Sequence, residues 1–188
     1  MESMKLHAER HLARDGAAPV RRHRAKGKRP VISIRPAIAS DAQQIGAVFD
    51  AAVREGWTYL GDLAREPMFP PDEWDKLVAD HAAPNVLLVA SDERNVVGFT
   101  AVHPAEGEMY LLFVDPKHAG RGVGRALLDA AHGALRGAGC REAFLYTHQE
   151  NERALSVYEA AGYRRDGSVR ESDFRGIQLR EPRLVKPL

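Results

Sequence analysis

Apolar residues recur at helical spacing in four stretches of the chain and cluster in seven shorter runs of strand length, so helices and strands interleave. Ile45, Val48, Phe49 and Val53 make the first helical stripe, capped by Ser40-Asp41, after a strand that runs from Val31 and ends at Pro36. Asp72 opens a second helix towards Asp80. Strands at about Val86–Ala90 and Val96–His103 flank the Asp92–Asn95 turn as a hairpin, and Met109–Val114 and Ala143–Thr147 follow. A third helix covers about Val123–Arg136. The fourth starts at Asn151, carries Ala154, Leu155, Tyr158 and Ala161 inward, and stops before Gly162, which suits a left-handed residue past a helix end. Tyr163–Glu171 and Gly176–Val185 read as a closing antiparallel pair. Gly56–Trp74, rich in aromatics, prolines and acids, reads as a loop.

The strand through Glu108-Met-Tyr-Leu-Leu-Phe-Val passes Asp115-Pro116 directly into a glycine-dense turn that opens a helix. Such a turn suits phosphate. The first helical N–H groups lack intrahelical partners and the helix dipole adds partial positive charge at the same end. Gly120, Gly122 and Gly124 leave the backbone open to close approach. A dinucleotide fingerprint would need a third glycine at 125 or 127, where the chain has Arg125 and Leu127, and no Gly-Lys-Ser/Thr marks a nucleotide P-loop.

Ala119-Gly120-Arg121-Gly122-Val123-Gly124 resembles motif A of the GNAT superfamily of acyl-CoA N-acyltransferases, Gln/Arg-x-x-Gly-x-Gly/Ala, with a departure at Ala119. About thirty residues later, Asn151-Glu-Arg-Ala154-Leu-Ser-Val-Tyr158-Glu-Ala-Ala-Gly162-Tyr163 is similar to motif B of the same family, Asn-x-x-Ala-x-x-x-Tyr-x-x-x-Gly-Phe/Tyr. The resemblance spans about 31–188. It implies an α/β fold with a central mixed, mostly antiparallel sheet of six to seven strands, flanked by about four helices and splayed between the two motifs.

Acetyl-CoA is the co-substrate that the resemblance implies, with acetyl transfer to the primary amine of a small molecule by direct attack. In that reading the main chain of Leu112, Phe113 and Val114 meets the pantetheine arm and the thioester oxygen. Ala119, Gly120, Arg121, Gly122, Val123, Gly124 and Arg125 hold the pyrophosphate, and Asn151 and Ala154 also meet the coenzyme. Tyr158 matches the general acid that protonates the departing sulfur. Glu108, fourteen positions before Gly122, matches the carboxylate that accepts the amine proton, usually through water. The acceptor pocket falls to the Trp57–Trp74 segment and residues near Phe174: Trp57, Tyr59, Met68, Phe69 and Trp74 as an apolar wall, and Asp62, Glu66, Asp72 and Glu73 as attractors for a cationic amine. The alternative is a non-catalytic acyl-CoA-binding regulator. The family also allows a homodimer.

Composition changes little in this picture. With 188 residues, 44% of them hydrophobic, the chain is one domain's worth with a sizeable core. The net charge of +1 hides an asymmetry, since residues 1–30 hold nine of 27 Lys/Arg and three of 26 Asp/Glu. Residues 1–30 thus read as a basic, disordered leader and 31–188 as the domain. No aromatic interleaves the basic run, so a nucleic-acid partner is not expected. Residues 1–30 hold no apolar run of seven, no stretch is long enough to span a bilayer, and the lone Cys140 can form no intramolecular disulfide, which together point to a cytoplasmic protein without a membrane partner. Cys140 has no motif tying it to a base. His103 and His118 lack partners at metal-ligand spacing, so no metal is expected.

Overall fold

The computed structural model describes residues 31–188 apart from 82, 83 and 94; the basic leader lies outside the described residues. Its strands are β1 (Ile32–Pro36), β2 (Val86–Asp92), β3 (Asn95–His103), β4 (Glu108–Val114), β5 (Glu142–Tyr146), β6 (Arg164–Phe174) and β7 (Ile177–Pro187). Its α-helices are α1 (Ala42–Gly56), α2 (Pro71–Asp80), α3 (Val123–Gly137) and α4 (Glu152–Ala160). All seven strands join one sheet in the order β1-β2-β3-β4-β5-β7-β6. Each neighbouring pair is antiparallel except β4 and β5.

Two local readings of the chain are corrected. Ser40 lies in a short 3₁₀ turn and is exposed, whereas Asp41 is buried and anchors the entry to α1 by accepting from Arg35 at 2.6 Å and from the Ile38 N–H at 2.8 Å. The supposed loop from Gly56 to Trp74 is largely helical, with a 3₁₀ segment at Thr58–Arg65 and α2 already under way at Trp74. Its many prolines fit this, because Pro70 and Pro71 sit before and at the first turn of α2, where a missing N–H costs nothing.

The middle of the sheet is covered on both faces, while the edge strand β6 is exposed along most of its length. α1, α2 and the 3₁₀ segment cover one, where Ile45, Phe49, Leu60, Trp74, Phe99 and Leu179 pack together. Helices α3 and α4 cover the other, with Leu128, Leu135, Leu145, Tyr158, Tyr163 and Leu184 in one cluster and Val97, Val123 and Leu127 in another. Strand β3 serves both layers, so its residues from Val96 to Val102 are all buried. A register shift between Ala101 and Val102 leaves Tyr110 of β4 without a ladder counterpart. This bulge puts both Tyr110 and Leu111 against the α1 layer.

Within α3, His132 is 1% exposed and its Nε2 stands 2.8 Å from the Tyr163 hydroxyl oxygen. Burial, with Lys186 and Arg136 nearby, pulls its imidazole down to about 4. The folded chain therefore holds His132 neutral while the unfolded chain takes up a proton below about pH 6.5, so stability drains away between those two values, by about 3 kcal/mol in all. His132→Leu removes this titration. In urea unfolding, the stability difference between wild type and His132→Leu is expected to move by about 3 kcal/mol in the variant's favour from pH 7 to pH 4.

Candidate active site

Strands β4 and β5 share one ladder pair, Glu108 with Phe144, supported by the Phe144 N–H donating to the Gly107 carbonyl at 3.0 Å. Beyond it they part. The edge of β4 from Leu112 onward therefore faces a cleft with a cavity volume of about 340 Å³ instead of a neighbouring strand. Backbone N–H and C=O groups on such an edge are free to pair with an extended ligand.

The expected positions converge on this one cleft. Leu112, Phe113, Val114, Ala119, Gly120, Gly122, Val123, Gly124, Arg125, Asn151, Ala154 and Tyr158 all line it. Arg121 and Glu108 do not. Arg121 is exposed on the turn, and Glu108 marks the closed end where the strands still touch. Asn151 caps α4 by accepting from the Ala154 N–H at 3.1 Å, so its side-chain oxygen is already engaged at the cleft wall. Arg125 pairs with Asp129 one turn along, at 3.1 Å, and both side chains are exposed.

The glycine turn has the backbone features that an anion would need. Gly120 and Gly122 take φ of 70° and 86°, and a Cβ added at either would meet nothing within 4 Å. Conformation, not crowding, demands these two glycines, and the space before them stays open. Gly124 is already helical, and its added Cβ would rest 3.6 Å from Val114. The N–H groups of Val123, Gly124 and Arg125 head a helix of 15 residues and lack intrahelical acceptors. This donor set fits the pyrophosphate of a coenzyme better than it fits a lone metal cation.

Tyr158 lies at the inner end of the cleft, 8% exposed, its ring 5.9 Å from that of Tyr163. Burial holds its phenol above the ordinary value, so it stays protonated at any working pH. At the closed end, burial also raises the Glu108 carboxyl, with Glu106 adding to this and Arg170, His103 and Arg183 opposing it. A raised carboxyl is a stronger base. The ligating atoms of His103, Glu106 and Glu108 fall within 4.8 Å of one another, a grouping that spacing along the chain did not reveal.

The expected acceptor wall divides in two. Trp57 lines the cleft, its ring 6.1 Å from Phe113 and 4.5 Å from His148, and Tyr59 hydrogen-bonds to His148 Nδ1 at 2.6 Å. Met68, Phe69 and Trp74 instead line a separate cavity of about 790 Å³ with Gly46 and Asp50, on the outer side of α1. Nor do the acids face an amine. Asp62 pairs with Arg65, Glu66 with Arg175, and Asp72 and Glu73 with Lys76, all exposed at the surface. Phe174 packs at the edge of the α1 core.

Two polar residues that the sequence did not single out meet behind Trp57, His148 against its ring and Glu181 against His148. His148 follows β5 in the alternation Phe144, Tyr146, His148, which was a readable signal. Glu181, a charged residue on the closing strand β7, is only 6% exposed. Its Oε1 accepts from Ser172 at 2.8 Å and its Oε2 from Arg170 at 2.5 Å, and His148 Nε2 stands 3.5 Å from Oε1. Burial alone would raise this carboxyl, but His148, Ser172 and Arg170 outweigh it and bring it down to about 2. Glu181 is therefore a fixed negative charge.

Comparison with known proteins agrees with this architecture. The family model for the acetyltransferase (GNAT) family matches residues 50–163. Mycothiol acetyltransferase of Propionibacterium freudenreichii is 41% identical over 130 residues, 65% of this chain and 40% of that protein. The enzyme of the same name from Geodermatophilus obscurus is 37% identical over 91 residues, 44% of this chain and 30% of that one. The chain thus matches less than half the length of these relatives. Among solved structures, YjaB of Escherichia coli superposes with a TM-score of 0.62 at 28% identity, covering 82% of this chain and 97% of that one. YncA of Salmonella typhimurium, solved with its cofactor acetyl-CoA, has a TM-score of 0.65 at 16% identity, covering 83% and 93%. No helix among the described residues is long and apolar enough to cross a membrane.

The two kinds of glycine in the turn respond differently to a methyl group. Gly122→Ala is expected to cost about 1 kcal/mol from its left-handed backbone, whereas Gly124→Ala, already helical, costs less or stabilises. Thermal unfolding of the two variants side by side checks this ordering.

Proposed function

Since the chain belongs to the acetyltransferase (GNAT) family, we propose that it moves an acetyl group from acetyl-CoA to the primary amine of a small molecule. One observation carries the reading: a single cleft runs from the glycine turn at the head of α3, past the unpaired edge of β4, to the hydroxyl-bearing ring of Tyr158. A coenzyme has its diphosphate at one end and its thioester at the other, and this cleft supplies donors for both. Relatives named for mycothiol support a small acceptor over a protein.

In this reading the amine nitrogen attacks the thioester carbon directly. A main-chain N–H from Leu112–Val114 holds the carbonyl oxygen as it takes on negative charge. The C–N bond forms, the tetrahedral intermediate collapses, and the C–S bond breaks. Tyr158 gives its phenolic proton to the departing sulfur. Burial makes that phenol a weaker acid, and a thiolate left in the same closed surroundings is a stronger base than in water, so the two shifts oppose each other. The nitrogen loses two protons in all; one replaces the proton that Tyr158 gave to sulfur and the other leaves to solvent. The family resemblance gives Glu108, its carboxyl raised by burial, as the water-relayed acceptor of a nitrogen proton.

A screen of small amines with acetyl-CoA, read by release of free thiol, is expected to find turnover, with Tyr158→Phe slowing it by roughly 10²–10⁴. Calorimetry should show acetyl-CoA binding to the wild type and to Tyr158→Phe, and its loss in Gly122→Glu, where a carboxylate and a strained backbone replace the cradle. Tight binding without turnover over the whole panel would point to a regulator.

A further inference from the structure

Three titratable side chains behind Trp57, which lines the cleft, have no part in the reaction so far. The Tyr59 hydroxyl oxygen lies 2.6 Å from His148 Nδ1, and His148 Nε2 faces Glu181 at 3.5 Å. The His148 and Glu181 side chains are only 12% and 8% exposed. Glu181 fixes the order of this chain, because a permanent carboxylate on the Nε2 side favours a hydrogen there and leaves Nδ1 with the lone pair that accepts from Tyr59. Tyr–His–Glu in this order can move a proton one way, from the phenol end towards the carboxylate end.

Placement along the parted strands is the second observation. Starting from the Glu108–Phe144 pair, four residues along β4 reach Leu112 and four residues along and past β5 reach His148. At about 3.3 Å per residue both stand about 13 Å from the closed end. His148 is therefore level with the β4 edge that would hold the thioester, whereas Glu108 lies that whole distance below it. The Trp57 ring, in reach of both Phe113 and His148, spans the gap between the two strands at this height.

We propose that Tyr59 and His148, oriented by Glu181, carry the acceptor amine's proton away from the reacting centre. The proposal rests on the acetyl-transfer reading. The ammonium proton passes to the Tyr59 oxygen as the Tyr59 hydroxyl proton passes to His148 Nδ1. The nitrogen lone pair so released attacks, and the imidazolium sits against the Glu181 carboxylate until product leaves and the proton returns to solvent. Burial and the charges of Glu150 and Glu181 keep Tyr59 from ionising by itself, so it conducts the proton without storing it. Tyr59 is the group that touches substrate; His148 and Glu181 act through it. The charged and titratable groups around His148 are Tyr59 from the 3₁₀ segment, Glu181 from β7, Arg170 from β6 on the far oxygen of Glu181, and Glu150 in the turn before α4.

The test takes an amine turned over by the wild type and follows kcat, both KM values and the pH–rate profile for Tyr59→Phe, His148→Ala and Glu108→Gln. Tyr59→Phe and His148→Ala are each expected to lower kcat by roughly 10²-fold, to leave acetyl-CoA binding by calorimetry unchanged, and to abolish the acid limb of the profile. Added imidazole should restore part of the rate to His148→Ala, which a merely structural loss would not allow. Tyr59→Phe keeps the ring and its packing, so it stands if His148→Ala fails to fold. The relay is overturned if Tyr59→Phe keeps the wild-type rate and acid limb, or if Glu108→Gln alone removes that limb. A wild type that binds acetyl-CoA but acetylates no amine overturns the acetyl-transfer reading and the relay together.

Discussion

The structure turns on a hydrogen-bond ladder that is started and then abandoned. Parallel neighbours normally continue to pair along their length, yet β4 and β5 meet at Glu108 and Phe144 and then separate. The cost of unpaired edge groups is met on one side only, since the other edge of β5 is fully engaged by β7 from Glu142 to Tyr146 and that of β4 by β3. The helices hold the gap open. Tyr158 from α4 and Val123 from α3 pack beneath it, and Trp57 closes it from above. The glycine turn, the free strand edge and the half-buried Glu108 carboxyl all lie on this wedge, at its mouth, along its side and at its apex.

Much of this was legible beforehand because the relevant signals are local. A left-handed glycine past a helix end and an asparagine cap each depend on a few neighbouring residues, so Gly162 and Asn151 could be assigned from the chain alone and agree, whereas Gly120 and Gly122 were read for close approach and prove to be left-handed. All seven strands also fell near their observed positions, since period and breakers mark them. Two kinds of signal were missed, one local and one set by topology. Asp62, Asp72 and Glu73 read as a possible lure for a cation, yet helix geometry pairs them with Arg65 and Lys76 at three- and four-residue spacing. Met68, Phe69 and Trp74 were grouped with Trp57 by nearness in sequence, but α1 stands between them and the cleft. His148 and Glu181 meet only because β5 and β7 are adjacent, a fact of topology that no short window contains.

Buried charge on the α1 side of the sheet is arranged in two tiers. Glu108 at the apex keeps a raised carboxyl because its cationic neighbours only partly offset burial. Glu181 further out is held low because three donors converge on its two oxygens. Two carboxyls in the same layer thus differ in kind, one able to take up a proton and one a fixed counter-charge. Environments that push like groups apart are what proton chemistry at neutral pH requires.

Phe49 has a place in this that its sequence position on α1 does not suggest. Its ring lies 4.7 Å from Phe113, 4.9 Å from Trp74 and 5.5 Å from Phe69, so a single side chain forms the partition between the inner cleft and the outer cavity. Close-packed rings transmit displacement, as liquid hydrocarbon would not. A displacement of the rings on the far side of α1 therefore reaches Phe113, at the place where β4 is bare.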